Sequence, residues 1–65
     1  MVDQKIEILR ETTEGFPQNV YYVKGDRLVA YYPEGDKDAF RIYDTPMRFS
    51  KRYRTFETIA KVNAL

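Results

Sequence analysis

Between Val20 and Tyr32, two runs of β-branched and aromatic residues are separated only by Gly25-Asp26. Val-Tyr-Tyr-Val-Lys and Arg-Leu-Val-Ala-Tyr-Tyr favour extended backbone, because such side chains pack well on a pleated surface. A two-residue connection led by glycine suits a type II′ turn, whose first central position needs a positive φ. The segment therefore reads as a β-hairpin pairing Lys24 with Arg27, Val23 with Leu28, Tyr22 with Val29 and Tyr21 with Ala30. That register places Tyr21, Val23, Leu28, Ala30 and Tyr32 on one face. Val20, Tyr22, Val29 and Tyr31 fall on the other. Neither face is polar, so either both are covered or one is a contact surface.

The flanking segments extend the sheet. Ile6 and Ile8 alternate with Lys5 and Glu7, as in a half-buried strand, although a helix from Asp3 to Glu14 ending at Gly15 competes with it. Gly15 to Asn19 is turn chemistry, with Pro17 withholding a ladder donor. After the polar turn Pro33 to Asp38, Phe40 and Ile42 alternate with Arg41 and Tyr43. Met47 to Ser50 reads as a short edge strand with Met47 and Phe49 inward. From Thr55 the spacing changes: Phe56, Ile59, Ala60 and Asn63 follow a helical period, with Thr55 as N-cap and Glu57 near the positive end of the dipole. The expected fold is α+β: a small antiparallel β-sheet of three to five strands with a short C-terminal helix covering one face through Phe56 and Ile59. A curled half-barrel of SH3-like or OB-like kind is one form such a sheet takes.

At 65 residues the chain is expected to form one domain, spanning 1–65. A domain of this size buries only about 60% of its unfolded surface and gains from disulfides, metals or partners. It contains no cysteine and no histidine. Disulfides and the usual zinc ligation are thereby excluded, so no metal or cofactor is expected. Self-association or docking to a larger assembly remains as a source of buried area. Serine and cysteine triads cannot be assembled without His, and the single serine, Ser50, lies among cations. The three glycines sit in separate turns and form no phosphate loop. Glu34 to Asp38 lacks the register of an EF-hand. A non-enzymatic protein is expected. The start, Met1-Val2-Asp3-Gln4-Lys5, has no signal-peptide pattern and no run reaches a membrane span, so a cytoplasmic location is expected.

Charge is unevenly distributed. Residues 1–44 carry six basic and nine acidic side chains, whereas residues 45–65 carry five basic against Glu57 alone. Within the basic part, Arg48, Lys51, Arg52 and Arg54 interleave with Phe49, Tyr53 and Phe56. Guanidinium forks for phosphate and rings for stacking, Tyr53 among them, are what an anion or nucleic-acid surface requires. The same cations could instead pair with Glu34, Asp36, Asp38 and Asp44. Two binding functions are expected from these features. One is a protein-interaction or inhibitor module that self-associates, as a homodimer or assembly subunit, through Val20, Tyr22, Val29 and Tyr31. The other is a nucleic-acid- or nucleotide-binding module using residues 48–56.

Overall fold

The computed structural model describes residues 5–63. Residues 1–4, which bear on the expectation of no leader, lie outside that range. Among the described residues five strands, β1 (Lys5–Glu11), β2 (Asn19–Lys24), β3 (Arg27–Pro33), β4 (Arg41–Pro46) and β5 (Phe56–Asn63), form one open antiparallel sheet in the order β4-β3-β2-β1-β5. A 3₁₀ turn, Lys37–Ala39, precedes β4, and a short helix, α1 (Arg48–Tyr53), links β4 to β5. No helix among the described residues is long and apolar enough to cross a membrane.

The N-terminal segment is a strand, and β2 and β3 form the expected hairpin. Gly25 takes φ +64°, while no non-glycine residue among those described has a positive φ, which is the type II′ pattern. The register departs from expectation beyond Val23. Val29 is an extra residue on β3, so Tyr22 faces Ala30 and Tyr21 faces Tyr31, in place of Val29 and Ala30. A bulge of one residue moves every later side chain to the opposite face. Val20, Tyr22, Ala30 and Tyr32 consequently share one face, and Tyr21, Val23, Leu28 and Tyr31 the other.

The expected C-terminal helix is replaced by β5, and the helix lies earlier, at Arg48–Tyr53. Again a bulge explains the difference. Ile8 pairs with Ala60 and Leu9 with Thr58, leaving Ile59 as the extra residue. The break in alternation turns a period of two into an apparent helical spacing of Phe56, Ile59 and Ala60. β-Branched Thr58, Ile59 and Val62 favour the strand, and pairing along β1 supplies its hydrogen bonds. The expected edge strand at Met47–Ser50 is also corrected. Pro46 ends β4, and Met, Arg and Lys are good helix formers. The Met47 N–H donates to the Asp26 carbonyl at 2.8 Å, and the Met47 carbonyl accepts from the Lys51 N–H at 3.0 Å. Met47 is buried as expected, but Phe49 points outward.

The core lies on the inner face, where Leu9, Tyr21, Val23 and Met47 pack with Leu28, Tyr31 and Phe56 around them. Direct cross-strand partners project to the same side of a sheet. The inner row Thr58–Leu9–Tyr21–Tyr31–Arg41 and the outer row Ala60–Ile8–Tyr22–Ala30–Ile42 each cross all five strands.

Candidate binding surfaces

Of the residues in the basic-aromatic segment, Arg48, Lys51, Arg52 and Tyr53 lie on α1 and are exposed. Phe49 and Tyr53, one turn apart, pack with ring centroids 4.5 Å apart and remain 74% and 54% exposed. Among the described residues no carboxylate lies within ion-pair distance of Lys51 or Arg52. Arg48 approaches Asp26 at 3.9 Å, with both side chains largely in solvent. A pair so exposed leaves the guanidinium available. Of the expected carboxylate partners, Glu34 pairs with Arg10 and Asp44 with Arg27.

Arg54 behaves differently from its neighbours. At the C-cap of α1 it turns inward, where its Nη1 donates to the Tyr21 hydroxyl oxygen at 2.7 Å and lies 3.6 Å from Glu11 Oε1. The Tyr21 hydroxyl donates to Glu11 Oε1 at 3.0 Å, and Asn19 Nδ2 donates to the same oxygen at 3.2 Å. Glu11 is fully buried. The guanidinium of Arg54 also sits 4.9 Å above the Phe16 ring centre. Burial first, and then the hydrogen bond to Glu11, raise the Tyr21 phenol above its ordinary pKa, with the Arg54 charge opposing. This cluster anchors one end of α1, while buried Met47 anchors the other. The sequence carries one weak signal of it: Glu11 lies two residues beyond Leu9, on the inner side of β1.

The four hairpin residues expected to share a contact face do not. Val20 is buried, Tyr22 and Val29 are half-buried, and Tyr31 belongs to the inner face. Tyr31 stacks on Tyr21 at 5.6 Å and on Tyr43 at 5.1 Å, with interplanar angles of 19° and 23°. Phe56 meets the other end of this series edge-on, 5.2 Å from Tyr21. The rings Phe56, Tyr21, Tyr31 and Tyr43 thus run across the inner face from β5 to β4. On the outer face, Phe40 packs edge-on against Tyr22 at 5.6 Å and near Tyr32 at 6.1 Å. Ile42, at the end of the outer row on edge strand β4, is 83% exposed.

A third feature is an open cleft of about 840 Å³ at the hairpin tip, where Lys5, Lys24, Arg27 and Lys61 stand among Glu7, Asp26 and Asp44. Its mixed charge selects no ligand class. Among known proteins, no family model matches the chain, and no curated protein or solved structure shows significant similarity to it.

Proposed function

We propose that this chain is a non-catalytic binding module whose contact surface is α1, and that its partner is a single-stranded nucleic acid. The observation that carries this reading is the exposure of Phe49 and Tyr53 beside Lys51 and Arg52, cations with no carboxylate at ion-pair distance among the described residues. Exposed aromatic rings interleaved with unneutralised cations suit a chain of stacked bases and phosphates. Arg54, part of the same basic run, acts instead as the strut that holds α1 to the sheet. We also infer a curled half-barrel of SH3-like rather than OB-like kind. Support comes from the pairing of β1 with both β2 and β5 and from a short helix preceding the last strand. The test is binding to a labelled oligo(dT) at low and high salt, with Lys51→Ala and Arg52→Ala as variants.

A second reading, self-association, is favoured by the outer face. The apolar row Ala60–Ile8–Tyr22–Ala30–Ile42 ends in a largely exposed isoleucine on β4, an edge strand among the described residues. A second copy covering this row would add the buried area that a domain of this size lacks. Sedimentation of the wild type against Ile42→Lys tests it.

A further inference from the structure

The inner-face stack ends in solvent. Tyr43 closes the series Tyr21–Tyr31–Tyr43, with Tyr31 against one face of its ring. It lies on β4, an edge strand whose six residues are all exposed. No further aromatic ring among the described residues packs against it. Arg41 is the direct partner of Tyr31 and projects from the same side of β4. Residues two apart on a strand stand about 7 Å apart, within reach of a base and its own phosphate. Among the described residues Arg41 has no carboxylate at ion-pair distance. The adjacent carboxylate, Asp44, is occupied by Arg27, whose Nη2 also donates to the Asp44 carbonyl at 2.9 Å.

We propose that Tyr43 and Arg41 form a subsite for one nucleotide, the base continuing the tyrosine stack and the guanidinium holding its phosphate. This rests on the nucleic-acid reading and names a second point of contact beyond α1. Within the fold the two points are linked through the core: Tyr21 is bonded to Arg54 at the end of α1 and begins the stack that leads to Tyr43. A tyrosine pre-stacked on its neighbour is held flat, so a base added to it loses little side-chain entropy.

The probes are fluorescein-labelled oligo(dT) and an abasic oligonucleotide of the same length and charge, titrated against the wild type, Tyr43→Leu and Tyr43→Phe. The wild type is expected to prefer oligo(dT). Tyr43→Leu should lose about tenfold or more in oligo(dT) affinity while keeping its abasic affinity, and Tyr43→Phe should retain the preference. An unchanged preference in a Tyr43→Leu variant whose denaturation midpoint matches the wild type overturns the subsite and leaves the α1 reading standing. If neither oligonucleotide binds the wild type at low salt, both fail.

Discussion

Arg54 Nη1 lies 2.7 Å from the hydroxyl oxygen of Tyr21, a residue 33 positions earlier in the chain. Through this contact and the Glu11 carboxylate beyond it, the junction between α1 and β5 is tied to the centre of the sheet. Phe56, two residues after Arg54, adds an edge-on ring contact to the same tyrosine. The helix has only six residues and no side-chain N-cap, so its position depends on these anchors.

Removing the Arg54 guanidinium strands a fully buried carboxylate. Loss of one partner from a buried ion pair costs several kcal/mol, and the partial exposure of Arg54 argues for the low end, about 3 kcal/mol. A chain of this size has on the order of 3–10 kcal/mol in total. Arg54→Ala should therefore lower the denaturation midpoint sharply, and Arg54→Ala with Glu11→Gln should recover part of that drop. Urea titration monitored by circular dichroism reads both.

Tyr21 makes stability depend on pH at the alkaline end. Its pKa is raised in the folded state, chiefly by burial and next by Glu11, so the folded protein favours the neutral phenol. That contribution is fully present below the unfolded value near 10 and disappears as pH rises through the folded value. The urea midpoint should hold up to about pH 10 and fall as the pH rises above it, and Tyr21→Phe should flatten the fall. An equal decline in the variant would remove Tyr21 as its source.

Gly25 occupies a left-handed conformation, yet a Cβ built there meets nothing within 4 Å. The cost of Gly25→Ala is then backbone strain alone, about 1–2 kcal/mol, with the hairpin retained. A destabilisation above about 4 kcal/mol, read from urea titration, would mean a steric role that the open space around Gly25 does not indicate.

Ile42 makes almost no contribution to the core. Ile42→Lys should leave stability within about 0.5 kcal/mol of the wild type, as for other surface changes. If the outer row joins two copies, the same substitution should shift the sedimentation coefficient toward the monomer. A wild type that is monomeric at high concentration rules that contact out.

The hairpin and its turn were legible because Gly25-Asp26 and the flanking composition act locally. Strands β1 and β4 were legible in the same local way, from the alternation of Ile6 and Ile8 and of Phe40 and Ile42. Two of the departures arise at bulges, while the third, a helix in place of an edge strand at Met47–Ser50, follows Pro46. Val29 and Ile59 are ordinary β-branched residues, and nothing in their identity marks them as extra. Yet one moves Tyr31 from an expected contact face into the core stack, and the other makes a strand look helical. The basic-aromatic segment was visible as composition, but its division was not. Lys51 and Arg52 face solvent while Arg54 turns inward, because Glu11 and Tyr21 are brought beneath it by strand pairing distant in sequence.

The most direct test of the α1 reading is the affinity for fluorescein-labelled oligo(dT) measured across a salt series. Log K is expected to fall linearly with log salt, and Lys51→Ala combined with Arg52→Ala to flatten the slope by about 1.4, or about 0.7 for each phosphate no longer neutralised. Absence of binding at about 50 mM salt, or binding whose slope is unchanged in the double variant, would contradict it.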